Sequence, residues 1–253
     1  MLSAQSISVQ LDDGFVPFRD LSLQLNEGEL VVLSGLNGSG KTQLLRCLCG
    51  LSNPSRGSIY LDNDDLTKRP KLRMQAVRMV FQHADRQVLS YTVAEEIACG
   101  PRNLGLSESE VQTRTQEAIS RFGLASRVDY HPAVLSGGEL RRLALASIFA
   151  MQPRFILLDE PFGNLDYPAL QSLLQAILAL QQHGVGIVIA THELDKVMAH
   201  ANTLWLMKQG RMCFQGSPAD GLDTARTIGL YVPPLSIPMM SRLANAGTAA
   251  DGR

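Results

Sequence analysis

The chain has 253 residues, 45% of them apolar and 19% charged, a composition that supports a buried core and excludes wholesale disorder. Its 23 basic residues face 24 acidic ones, so there is no basic excess to grip a nucleic-acid backbone, and no nucleic-acid partner is expected. No apolar run approaches the roughly 18 residues of a membrane span, and the opening MLSAQSISVQLDD has neither the basic start nor the apolar stretch of a secretory signal.

In chain order, Ile7 to Leu11 and Leu21 to Leu25 alternate apolar and polar residues, as half-buried antiparallel strands do. Glu29 to Ser34 (ELVVLS) is continuously apolar and predicts a strand covered on both faces. It runs into GLNGSGKT, residues 35 to 42, and then into QLLRCLCGL, whose leucines fall at helical spacing. Gly57 to Leu61 resumes a strand. Residues from about 88 to 152 change character and predict a helical insertion. Ser107-Glu108-Ser109-Glu110 fits a capping box, and a second helix follows Ser136-Gly137-Gly138. Phe155 to Leu158 reads as a strand, Pro168 to Gln182 as an amphipathic helix and Val185 to Ala190 as another strand. Leu204 to Met207 and Met212 to Phe214 flank Gln209-Gly210 as a hairpin, and a tail from about Pro233 turns small and polar. Strand–helix alternation with buried apolar strands predicts an α/β sheet. Cys47, Cys49, Cys99 and Cys213 form no CxxC pair and read as buried free thiols of a cytosolic protein.

GLNGSGKT matches G-x-x-x-x-G-K-[ST] at every fixed position. Gly35, Gly38 and Gly40, with Leu36, Asn37 and Ser39 between them, let backbone N–H groups turn inward around phosphate oxygens at the positive end of the following helix. Lys41 would reach the β- and γ-phosphates and the Thr42 hydroxyl would hold Mg²⁺. A chance glycine-rich turn would lack the strand before it and the helix after it. FILLDE, residues 155 to 160, delivers two carboxylates to the end of an apolar strand, where an open α/β sheet binds ligands. Asp159 would support the metal, and Glu160 would polarise the attacking water. Leu135-Ser136-Gly137-Gly138-Glu139 opens a helix with a serine and two glycines. Standing alone it would be an ordinary N-cap, but beside the other two motifs it is a second anion-binding terminus.

These segments and His192 stand in the order and spacing of ABC-transporter ATPase subunits, which the chain resembles over about residues 3 to 225. Lys41 and Ser136 are 95 residues apart, Ser136 and Glu160 are 24 apart. The resemblance implies an ABC ATPase domain over 1–232. Within it, an α/β P-loop NTPase core (about 1–87 and 153–225) holds a parallel sheet and an N-terminal antiparallel β subdomain, and the helical subdomain spans about 88–152. Gln82 would then touch the metal, Gln43 would border the ATP site, Asp166 would belong to the D-loop, and His192 would contact the γ-phosphate. Residues Leu135 to Glu139 would act on the nucleotide of an opposing protomer. ATP with Mg²⁺ is the implied nucleotide, and the implied partners are a second ATPase protomer, identical or related, and a transmembrane subunit. The adenine-stacking position of the family falls near Leu11, with Phe15 and Phe18 later in the loop.

FQHADRQVLSYTVAEEIACGPRNLGL, residues 81 to 106, and GLYVPPLSIPMMSRLANAG near the C-terminus resemble the energy-coupling-factor group of these ATPases. That resemblance implies an importer of vitamins or transition-metal ions, a separate substrate-binding membrane protein, and a peripheral place on the cytoplasmic face of the membrane. The loop from Gln82 through His83 to about Tyr91 is the expected seat of the membrane subunit. An ABC ATPase of another transporter type, or a soluble ABC ATPase acting on DNA or ribosomes, is the alternative; the latter class carries long coiled-coil insertions or tandem domains that this sequence lacks. Asp62 to Asp65 reads as a solvated turn, and His83, His131, His183 and His200 as surface or loop residues.

Overall fold

In a computed structural model that describes residues 1–82 and 88–232, the strands order themselves into two sheets. Strands β1 (Leu2–Val9) and β2 (Phe18–Leu25) pair antiparallel, and their alternating burial follows the apolar alternation of the sequence. Strand β3 (Leu30–Ser34) is buried at every residue and ends at the glycine-rich turn. Helix α1 (Lys41–Cys49) starts there and stops at Gly50, which adopts a left-handed φ of 94°. Strands β4 (Arg56–Leu61) and β5 (Asp64–Asp65) complete a four-stranded antiparallel sheet in the order β2-β1-β4-β5. The acidic run Asp62 to Asp65 is thus a hairpin, in which Asp62 pairs with Arg154 at 2.8 Å.

Helix α2 (Pro70–Ala76) and strand β6 (Val77–Val80) follow; neither is foreseen from the sequence. The side chain of Arg73 on α2 is fully buried. Its guanidinium donates through Nη1 and Nη2 to the carbonyls of Ser52, Leu66 and Thr67 and to Asn53 Oδ1, so four acceptors meet one buried cation, while Nε has no hydrogen-bond partner among the described residues. The helical part contains α3 (Val93–Asn103), α4 (Glu108–Arg121) and α5 (Gly137–Phe149). Ser107 and Glu110 close the expected capping box on α4, and Ser136 and Glu139 close another on α5.

Strand β7 (Phe155–Asp159), helix α6 (Tyr167–Gln182) and strand β8 (Gly186–Ala190) return the chain to the larger sheet. Strands β9 (Thr203–Lys208) and β10 (Arg211–Gly216) form the expected hairpin, with Gln209 and Gly210 both at positive φ, and α7 (Leu222–Thr227) follows. The six strands run β10-β9-β3-β8-β7-β6. Strands β9, β3, β8 and β7 are mutually parallel, and β10 pairs antiparallel with β9.

The described residues fall into two compact units. The first comprises 1–79, 154–160 and those from 181 onward; the second comprises those of 80–153 together with 161–180. Helix α6, read above as part of the core, therefore groups with the helical unit through residue 180. The expected tail from 233 lies outside the described residues. Cys47 and Cys49 are buried as expected, but Cys99 is half-buried and Cys213 is exposed on β10. His131 and His183 are exposed, whereas His200 is half-buried. His83 lies outside the described residues.

Candidate functional site

Parallel pairing sets the geometry of the first unit's site. Leu33, Ala190 and Asp159 stand in one row across β3, β8 and β7, so the residues after each strand emerge at one edge of the sheet. Those residues are the glycine-rich turn, Thr191-His192 and Glu160. The Thr191 N–H donates to the Leu33 carbonyl at 3.0 Å and the Glu160 N–H to the Ala190 carbonyl at 2.8 Å, which extends the alignment past the strand ends. An edge formed by the carboxyl ends of parallel strands is where open α/β sheets bind ligands.

The turn itself is backbone-driven. Gly40 has φ 102°, and a Cβ there would sit 2.6 Å from the Pro17 carbonyl oxygen, so glycine is required both by conformation and by space. Helix α1 begins immediately after it and carries no acidic residue of its own in the first turn. Ser39 is buried, and its Oγ has no hydrogen-bond partner among the described residues. The Lys41 ammonium donates to the carbonyls of Gly35 at 2.7 Å and Leu36 at 3.4 Å. Burial lowers the Lys41 pKa, while the nearby Glu160 and Asp159 charges favour its protonated form.

Thr42 Oγ1 donates to Asp159 Oδ2 at 2.8 Å across 117 residues of sequence. Asp159 Oδ1 is buried and has no hydrogen-bond partner among the described residues. Burial raises the Asp159 pKa, and the Thr42 hydroxyl opposes that rise. Glu160 takes a left-handed backbone, φ 46°, and its Oε1 meets His192 Nδ1 at 3.0 Å. With a carboxylate as acceptor, Nδ1 carries the shared proton. Gln43, the third residue of α1, is half-buried.

The second unit holds the remaining predicted residues. Ser136 is exposed; its Oγ accepts the Glu139 N–H at 3.3 Å, and Glu139 Oε2 accepts the Ser136 N–H at 2.9 Å. Arg127 donates to Glu139 Oε1 at 3.0 Å. This pairing gives a reason for glutamate at 139, and nothing in the local sequence signals Arg127. Gly137 is exposed beside the half-buried Leu135, while Gly138 is buried, and a Cβ on it would lie 2.7 Å from the Ala169 methyl. Asp166 Oδ1 accepts the Ala169 N–H at 3.0 Å, which makes Asp166 a cap for α6. Gln82 is exposed. Of the loop expected to seat a membrane subunit, residues 83–87 lie outside the described ones; Leu89 and Tyr91 are strongly exposed, and Glu96 holds the N–H groups of Leu89 and Ser90 at 3.0 Å. Among the aromatic candidates near the turn, Phe18 is fully buried in β2 and Phe15 is 59% exposed. Phe18 is therefore committed to the core and is not free to stack on a base.

Comparison with known proteins places these features in context. The family model described as ABC transporter matches residues 18–163. The energy-coupling factor transporter ATP-binding protein EcfA of Methanothermobacter thermautotrophicus is 32% identical over 257 residues, covering 99% of this chain and 82% of that protein. A putative ABC transporter ATP-binding protein of Halobacterium salinarum is 37% identical, covering 92% of this chain and all of its own. Among solved structures, cbiO1 from Clostridium perfringens, part of the ABC transporter complex cbiONQ, superposes with a TM-score of 0.81 at 27% identity over 98% of both chains.

Proposed function

The chain belongs to the ABC transporter family as an ATP-binding, ATP-hydrolysing transporter subunit, and from that premise we propose that it energises an energy-coupling-factor importer carrying a transition-metal ion or a vitamin. The observation that carries the chemical part is the row at the sheet edge, where the phosphate-binding turn, the Thr42–Asp159 contact and the Glu160–His192 pair emerge together.

In the proposed reaction the backbone N–H groups of residues 35 to 42 and the Lys41 ammonium bind the β- and γ-phosphates of ATP. The Mg²⁺ that the family implies fits the site: an orphaned carboxylate oxygen beside a hydroxyl is an oxygen donor set of the kind this ion takes. Thr42 and Asp159 would hold it, and bound Mg²⁺ would neutralise phosphate charge; the metal contact of Gln82 is what the family resemblance implies. Glu160 accepts a proton from the attacking water through the oxygen that His192 leaves free. His192 Nδ1–H fixes the Glu160 carboxylate, and Nε2 would meet the γ-phosphate as a donor, with a second ring proton that the imidazolium form carries. Ser136 keeps its hydroxyl hydrogen for a phosphate of an opposing protomer, since Oγ is the acceptor in its own cap. Asp166 joins the 161–166 loop to α6.

The importer type rests on the relatives named energy-coupling factor ATP-binding proteins and on the segment from 81 to 106. The proposed assembly contains a second ATPase protomer, a helical transmembrane subunit and a small substrate-binding membrane protein, with this chain on the cytoplasmic face. Affinity purification of the tagged chain from membranes tests it. Recovery of a helical membrane subunit and a small membrane-embedded binding protein supports the proposal. Recovery of paired permeases with a soluble binding protein overturns the importer type, and recovery of ribosomes or DNA without membrane protein overturns transport.

A further inference from the structure

Within the second unit, Arg141 joins two segments that are remote in sequence. It sits one turn into α5, and Nη2 donates to the Gly163 carbonyl at 2.5 Å while Nη1 reaches the Gly137 carbonyl at 3.4 Å. One planar guanidinium thus spans the 135–139 turn and the 161–166 loop. Gly138 lets α5 approach Ala169 closely beside this tie, and Asp166 caps the same stretch.

One residue just before the loop so held and one within it have left-handed backbones. Glu160 has φ 46°, a region that glutamate seldom adopts, and Asn164 has φ 57°, a region that asparagine adopts more readily. Upstream, the Glu160 N–H is tied to Ala190. Downstream, the Gly163 carbonyl is tied to Arg141, and Phe162 between them is fully buried. Arg141 also touches the 135–139 turn through the Gly137 carbonyl.

We propose that Arg141 is a positioning residue for hydrolysis, a brace that makes the 135–139 turn and the 161–166 loop one rigid piece. The inference rests on the reaction proposed above. Seating of the turn on a phosphate of the opposing protomer is then transmitted along a loop whose chain runs directly into Glu160. The brace acts on turnover and leaves nucleotide affinity alone, because Arg141 belongs to neither the glycine-rich turn nor the Thr42–Asp159 contact.

The test compares Arg141→Met, which keeps the aliphatic stem and a good helix former but removes the donors, with Arg141→Lys, which restores a cation. Hydrogen exchange of the full chain is expected to quicken at least tenfold over residues 162–166 in Arg141→Met, with residues 35–42 unchanged and Arg141→Lys in between. In ATPase assays, kcat should fall at least tenfold while KM and the Kd for ATP stay within twofold, with partial rescue by lysine. Unchanged exchange at 162–166 overturns the brace. A general rise in exchange, or a loss of ATP affinity as large as the loss of kcat, assigns Arg141 a merely structural role and also overturns it. A wild-type chain that does not hydrolyse ATP defeats the proposed reaction, and the exchange arm still decides for or against the brace.

Discussion

Replacing Gly138 with alanine sets helix propensity against packing, and the structure decides the sign. Alanine in place of glycine inside a helix stabilises it by about 0.5–1 kcal/mol. The new Cβ, however, would lie 2.7 Å from the Ala169 Cβ, with Ala169 Cα at 3.7 Å. The opposing methyl is fixed to the backbone of α6, so one helix must shift by several tenths of an ångström before the contact becomes ordinary. Overpacking of that kind costs about 1–3 kcal/mol. The net expectation is a loss of about 1 kcal/mol, or roughly 2–4 °C in Tm for a chain of this size. Ala169→Gly alone loses about 1 kcal/mol as a glycine in a helix, but on the Gly138→Ala background it vacates the clash. The pair should therefore show a favourable coupling of about 1–2 kcal/mol in urea unfolding followed by circular dichroism. Gly137 is the internal control: its added Cβ meets only Arg141 Nη1 at 3.5 Å, so Gly137→Ala should be neutral or slightly stabilising. A Gly138→Ala chain as stable as the wild type, or a cycle without coupling, refutes the packing argument.

Other expectations follow from the same geometry. Lys41→Ala should weaken ATP binding about 10- to 100-fold by titration calorimetry, the worth of roughly 1.5–3 kcal/mol for a hydrogen bond to a charged group. Under native conditions a thiol reagent should modify the exposed Cys213 first and reach the buried Cys47 and Cys49 only on unfolding. Burial pushes the Cys47 thiol up from 9.0 to about 12. Below pH 9 both states keep its proton; above it the unfolded state ionises first, so stability should decline by about 1.4 kcal/mol per pH unit toward pH 12, measured as a falling urea midpoint.

Much of the site is legible before the structure because its parts are local. The spacing of Gly35, Gly40, Lys41 and Thr42 within eight residues reports a phosphate turn, and the apolar run ending in Asp159-Glu160 reports a strand delivering acids. The capping box at Ser107 is equally local, and the serine that opens α5 is local too, though its box with Glu139 is seen only in the structure. What the sequence hides depends on distant partners. Gly138 looks like one of two equivalent glycines until Ala169, 31 positions away, is seen against it. Arg127 and Arg141 carry no local signal because their acceptors are Glu139 and the Gly163 carbonyl. Phe18 is a plausible base platform in one dimension, but the inward face of β2 claims it. Helix α2 and strand β6 escape because seven and four residues are too few to establish a period.

The most direct measurement of the central claim is steady-state ATP hydrolysis by purified Glu160→Gln alongside wild type, with ATP binding measured on the same samples. Glutamine keeps the shape of Glu160 and a partner for His192 but removes the charge that accepts the proton of water. The account predicts ATP affinity within about threefold of wild type and turnover lower by a hundredfold or more, the range of a lost general base. Wild-type turnover by Glu160→Gln would contradict it.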